Sequence, residues 1–319
     1  MNDLTFNPGG LPGTPPLSPA DQAMPVGISP FKASARRFAK NHLAVLSCFI
    51  LLAIVLACYM GPFFFPFTSE EADFENISAP VDFFTAHPFG TDDLGRDLLL
   101  RTLDGGRVSL ALGFFGAMVS VLISVIYGAT AGYAGGWLDD IMMRAVDILL
   151  SLPFIFLAIL IKVVLQDSGL HLGPIPLDSP NIALFIAVAF TLWLTPAVIA
   201  RGQAVSLRSR EFVEAARAGG MNAWQIITQH IAPNSVNVVI VYSSLLVLEA
   251  ILTESFLSYL GIGVAPPFAS WGSLINEGAD KIETDIRLLM VPGGFLAAVL
   301  FCLNYITDGL RDAFDPNER

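Results

Sequence analysis

The sequence predicts an all-α, polytopic membrane protein with six transmembrane helices, and three observations carry that prediction. Of 319 residues, 54% are hydrophobic and only 14% charged, where a soluble domain carries about 25% charged residues. The mean hydropathy is +0.64. The apolar residues also come in blocks of about 20, the length a helix needs to cross the hydrocarbon core.

The elements follow in order. Residues 1–38 read as a disordered cytoplasmic tail. As far as about Pro30 they are rich in Pro, Gly, Ser and Asp and lack apolar periodicity. They also lack the charged start and short apolar run of a cleaved signal peptide. Lys32, Arg36, Arg37 and Lys40 then form a basic flank. Residues 39–108 hold the first apolar block, about 43–65, and an extracytoplasmic segment. Residues 109–308 hold the remaining blocks, at about 109–133, 141–165, 182–200, 236–260 and 288–306. A polar cytoplasmic loop, 201–235, interrupts them, and a cytoplasmic tail, 309–319, follows.

Six spans put both termini on one side, and the basic flank assigns that side to the cytoplasm. Arg201, Arg208, Arg210 and Arg217 in the loop after the fourth block agree. Arg96, Arg101 and Arg107 lie on the expected outer side and run against the rule. Their acidic neighbours Asp92, Asp93, Asp97 and Asp104 do little to offset them, because Lys and Arg set orientation.

Within the spans, Gly128, Gly132 and Gly136 repeat every four residues and bare one helix face for close packing, inside the chain or between subunits. Pro153, Pro196 and Pro292 are expected to interrupt the third, fourth and sixth spans. Glu249 and Glu254 fall in the fifth, where a carboxylate facing lipid is costly. They are assigned to a lumen or to a helix contact. Cys48, Cys58 and Cys302 sit in apolar blocks without metal spacing and read as small buried hydrophobes.

No catalytic constellation appears. The four histidines, His42, His87, His171 and His230, form no H-E-x-x-H pair, and no G-x-S-x-G is present. "GTDDLGRD" at 90–97 imitates the first half of a P-loop. Arg96 then stands where Lys is required, Asp97 replaces the Mg-binding hydroxyl, and Asp92 and Asp93 repel phosphate. No resident cofactor or metal is expected, and a net charge of −11 argues against nucleic acid as a partner.

One polar stretch stands among the spans: "EFVEAARAGGMNAWQIITQHIAPN", 211–234. Residues 211–218 are expected to form a helix kept slim by Ala215, Ala216 and Ala218, with Glu214 and Arg217 paired three apart. Gly219 and Gly220 cap it. Asn222 and Gln225 open a second helix as a capping box, with Trp224, Ile227 and Ile231 on one side, and Pro233 marks a break before the fifth span. Helices this short are marginal in water. They need a docking surface, either the chain's own membrane part or a soluble partner.

"EAARAGGMNAWQIITQHIAP" resembles the EAA loop of ATP-binding-cassette importer permeases, matching at Glu214, Ala215, Ala216, Gly220 and Pro233 and departing at His230 and Ala232. "FGTDDLGRDLLLRTLDGGRVSL" (89–110), "ESFLSYLGIG" (254–263), "SWG" (270–272) and "DGLRDAFDP" (308–316) are similar to C-type subunits of the peptide and nickel branch, most of all its oligopeptide members. The resemblance implies a type I ABC importer permease fold in a bacterial inner membrane and a homologous second permease subunit. It also implies an extracytoplasmic peptide-binding protein and two cytoplasmic ATPase subunits, which would bind ATP and Mg. By the same resemblance the ATPase-coupling residues are Glu211, Glu214, Ala215, Ala216, Arg217, Gly219, Gly220 and Pro233. The implied cargo is a peptide, an oligopeptide foremost, with dipeptide, glutathione, nickel chelate and antimicrobial peptide as alternatives within the family. Outside it stands an ion-coupled transporter, which requires midplane sites on repeated broken helices. The acidic outer segment, 66–107, is expected either to meet the binding protein or to cover the spans, and 261–287 to form a re-entrant element beside the outer mouth.

Overall fold

A computed structural model describes residues 30–82, 87–172, 175–266 and 268–314. The disorder expected of the first residues, 1–29, and the last part of the tail, 315–319, lie outside the described residues.

Side chains mark where helices begin. α1 (Pro30–Phe38) is a short basic helix, which corrects the disorder expected of residues 30–38. Asn41 caps α2 (His42–Met60), accepting the Ala44 N–H at 3.2 Å. Asp97 caps α3 (Leu98–Ala134), accepting the Leu100 N–H at 2.6 Å. α3 stops at Gly135 and Gly136, both in the left-handed region at φ 65° and 59°, a conformation glycine adopts without a Cβ penalty. Gly136 therefore turns the chain and faces open space, which corrects its expected place on the glycine packing face.

α3 has 37 residues, about 55 Å of helix against a hydrocarbon core of about 30 Å. It begins at Leu98 rather than near 109, because its polar first turns are buried in ion pairs and hydrogen bonds rather than left to water. The third apolar block is not one straight span: α4 (Gly136–Leu150) and α5 (Phe154–Asp167) meet at 97°. Pro153 stands at the corner as N-cap of α5. α6 (Pro180–Leu192) and α7 (Leu194–Leu207) meet at 40°. That break is at Trp193, not at Pro196, which falls in the first turn of α7 where a missing N–H costs nothing. A two-residue pairing, β1 (His171–Leu172) with β2 (Ile175–Pro176), bridges α5 and α6.

The hairpin region comprises α8 (Glu211–Ala218), α9 (Ala223–Ile226), a π turn at Ile227–Ile231 and α10 (Ala232–Asn234). α11 (Val236–Tyr259), the short α12 (Trp271–Ala279) and α13 (Arg287–Phe314) complete the chain. Pro292 lies inside α13 without breaking it, and the helix continues through 309–314, residues expected to belong to the tail. Among the described residues four helical stretches are long and apolar enough to cross a membrane, and six spans result if each bent pair counts as one. The six-span expectation holds only with that counting.

α3 is the spine, packed along its length by α7 and α11 and flanked by α2, α6 and α12. Glycines set the closest approaches. A Cβ at Gly128 would stand 2.8 Å from the Ala200 Cβ, and one at Gly132 2.8 Å from the Ala204 Cβ, both on α7. At the other end of α3 a Cβ at Gly106 would stand 2.7 Å from the buried Trp271 ring. Trp271 joins Cys58, Leu103, Ile251, Val299 and Leu303 in one core cluster. α2 presents Leu43, Leu46, Phe49, Leu52 and Leu56 outward, as a helix against lipid does.

Candidate functional site

The hairpin has two faces. Val213, Ile226, Ile227 and Ile231 are buried against Ala129 of α3 and Ala204 of α7, with Tyr133, Leu207, Ala216 and Met221 around them. Each large apolar side chain so buried contributes about 1.5–3 kcal/mol, which offsets the marginal stability of so short a helix pair. The inner face thus docks on the chain's own membrane helices. Glu211, Phe212, Glu214, Ala215, Ala218, Gly219 and Gly220 form the exposed outer face. Two acids in the first turn of α8 and Arg217 in the last suit the helix dipole.

The turn is built as its residues dictate. Gly219 caps α8 at φ −73° and Gly220 adopts φ 85°. Asn222 and Gln225 close a capping box at 2.8 and 2.9 Å. Two details differ from the sequence reading. Arg217 lies over the Tyr133 ring at 5.6 Å and makes no salt bridge with Glu214 among the described residues. Trp224 is 56% exposed, and Ile226 takes its place beside Ile227 and Ile231. The break expected at Pro233 is present: a π turn precedes it, with the Ala232 N–H bonded to Ile227 C=O, and a turn at Ser235 separates α10 from α11.

Beside the hairpin, Asp139 and Arg201 form a two-pronged pair, Nε–Oδ1 2.6 Å and Nη2–Oδ2 2.7 Å, fastening α4 to α7. Asp139 was absent from the sequence reading, and its only signal was an acidic pair, Asp139 and Asp140, between the second and third apolar blocks.

Deeper in the bundle the two span-five acids separate. Glu254 is fully buried and accepts hydrogen bonds from Ser258 Oγ at 2.7 Å, Ser109 Oγ at 2.8 Å and Ser255 Oγ at 3.3 Å. Ser109 Oγ also accepts the Trp271 N–H at 3.2 Å, and Trp271 Nε1 donates to Thr102 C=O at 3.0 Å. Glu254 is therefore a knot joining α3, α11 and α12. Glu249 instead lines a cavity of about 490 Å3 at the α4–α5 corner, together with Leu152, Phe154, Thr191, Thr195 and Thr253. The serines around Glu254 were legible only as "ESFLS", with hydroxyls one and four residues on. Lys162, buried in α5 and bonded to Gly263 C=O at 2.7 Å, was missed altogether.

The far end of α3 accounts for the three arginines that ran against the charge rule. Arg101 reaches Asp92 at 3.0 Å and Glu277 at 2.9 Å, and Arg96 reaches Asp92 at 2.8 Å. Arg107 pairs with Asp104 at 3.0 Å and donates to Cys58 C=O at 2.7 Å. The P-loop-like stretch is thus a folded ion-pair cluster. A hydrogen bond from Lys281 holds Asp93 below the usual carboxylate range, and one from Arg287 does the same for Asp285. Among the described residues no group of three or more His, Cys, Asp and Glu side chains could hold a metal ion.

Comparison with known proteins agrees with this architecture. Residues 29–80 match the N-terminal TM domain of oligopeptide transport permease C. The oligopeptide transport system permease protein OppC of Haemophilus influenzae is 47% identical over 92% of this chain and 90% of its own length. Its namesakes from Escherichia coli (43%, covering 92% and 93%) and Bacillus subtilis (37%, covering 94% of each) are similar throughout as well. Residues 111–319 match the family described as binding-protein-dependent transport system inner membrane component. The chain belongs to that family, and it is an integral membrane permease subunit of the inner membrane.

Proposed function

We propose that this chain forms half of the translocation pathway of an ATP-driven ABC importer of peptides, oligopeptides foremost. A homologous second permease completes the pathway, and an extracytoplasmic binding protein delivers cargo. Two cytoplasmic ATPase subunits bind ATP and Mg and seat the outer face of the hairpin. The termini and the hairpin lie in the cytoplasm. The chain itself performs no bond chemistry. Nucleotide binding on the partners favours one arrangement of the bundle over another, and that difference in affinity drives the shift between inward- and outward-facing states.

The observation that carries this reading is the two-faced hairpin. Its apolar face is consumed by α3 and α7, so a push on its polar face moves those helices directly. The names of the three relatives, all oligopeptide permeases, support peptide as cargo.

The test is uptake of short labelled peptides into sealed vesicles carrying the full complex. Uptake is expected to require ATP on the hairpin side and binding protein on the other, and to survive collapse of ion gradients. Uptake that persists without ATP and stops when an ion gradient is dissipated refutes the proposal.

A further inference from the structure

One buried cation is explained neither by the hairpin nor by apolar packing. Lys162 stands in the third turn of α5, 6% exposed, in a helix otherwise almost wholly apolar. Its ammonium donates to the main-chain carbonyls of Ile262 and, at 2.7 Å, Gly263, and no salt bridge reaches it among the described residues. An ammonium at membrane depth is costly unless it meets such partners. A methionine or leucine would fill the same space without that cost. What the ammonium adds is the two bonds.

Those bonds hold a segment whose other ties are neutral. α11 ends with Gly261 at φ 77° and the Ile262 N–H returned to Leu257 C=O at 2.9 Å. This wraps the helix end and leaves the next carbonyls, of Ile262 and Gly263, to α5. The negative end of the α11 dipole favours a cation in the same place. Further on, the Ala265 N–H is held by Asn181 Oδ1 of α6 at 2.9 Å, and the Val264 N–H by Ser258 Oγ at 3.3 Å.

The position of α5 gives this contact its consequence. α11 has 24 residues, so about 36 Å of helix separates residues 261–266 from the hairpin. α5 starts at the 97° corner with α4. α4 is fastened to α7 by Asp139 and Arg201, and α7 is part of the floor beneath the hairpin. Beside α11 itself, a second route from hairpin to far end thus crosses one interrupted helix and one ionic link.

We propose that Lys162 is a positioning residue of the transport cycle: its two bonds make residues 261–266 follow α5 when α4 and α5 pivot about their corner at 151–153. The proposal rests on the importer reading above, because it needs a nucleotide-driven movement of α7.

The experiment uses the full complex in vesicles and measures peptide taken up per ATP hydrolysed. If the unaltered complex shows no ATP-dependent uptake, the importer reading fails. If it transports, Lys162→Met is expected to keep ATP hydrolysis and lower the ratio about tenfold, an ordinary coupling factor. Lys162→Arg, which still donates to two carbonyls, is expected to restore it to within about twofold. A Lys162→Met complex with the unaltered ratio overturns the proposal, as does an arginine variant as defective as the methionine one. Should the methionine variant assemble poorly, Lys162→Gln is followed by amide exchange at 261–265. Loss of the nucleotide-dependent change in exchange supports the proposal, and an unchanged response overturns it.

Discussion

Replacing Gly128 and Gly132 by alanine tests the spine of the bundle. Each new Cβ would lie 2.8 Å from an alanine Cβ on α7, at Ala200 and Ala204 respectively. Carbon atoms rest about 3.5–4.0 Å apart, so α3 and α7 must part by about 1 Å. The opposing groups at Gly128 include main-chain atoms of Ala197 and Arg201, which cannot rotate away as a long side chain does. Overpacking of this kind costs about 1–3 kcal/mol per site. Both sites are relieved by the same separation, so the double variant is expected to cost less than the sum. Gly202→Ala is the control: it lies in α7 with nothing within 4 Å of its added Cβ, and helix propensity alone favours it by up to about 1 kcal/mol. The assay is reversible denaturation in mixed micelles, followed by tryptophan fluorescence. Single variants as stable as the parent, or a double variant whose cost exceeds the sum, would refute the close-packing argument.

Two further outcomes follow. Asp139→Ala leaves the half-buried Arg201 guanidinium without its carboxylate and is expected to lower stability by about 1–3 kcal/mol, discounted for solvent access, with the exchanged pair Asp139→Arg and Arg201→Asp partly restoring it. Hydrogen bonds from Lys281 and Arg287 depress Asp93 and Asp285 in the folded state, so their contribution is fully present above the ordinary carboxylate pKa of about 4 and is lost as pH falls through the depressed values. Protection factors of the amides around these residues are expected to fall below about pH 4, and protection constant from neutral pH down to about pH 2 would contradict it.

How much was legible divides along physical lines. Block length and polarity identified the spans because any helix in lipid must obey them. The same signal could not show that α4 and α5 turn at 97°, since a bent pair and a straight span have the same composition. Local chemistry was readable where partners are near in sequence: the Asn222–Gln225 box and the glycine cap formed as written. It failed where a distant ring or carbonyl won. Arg217 chose Tyr133 over a neighbour three residues away, and Lys162 found carbonyls a hundred residues on. Glu254 was visible as an anomaly, but its partner Ser109 comes from α3 and is brought to α11 only by folding. The outer face of the hairpin reads directly from sequence because it is what remains once the isoleucines have been buried.

The central claim is that this outer face transmits force from ATPase subunits to the bundle. It is tested most directly by Ala215→Cys in the assembled complex, labelled from either side of sealed vesicles and cross-linked to the ATPase chains. The account predicts that only reagent on the ATP side reacts, that the ATPase subunits shield the thiol, and that the cross-link depends on nucleotide. Labelling from the opposite side, or full reactivity in the presence of both ATPase subunits, would contradict it.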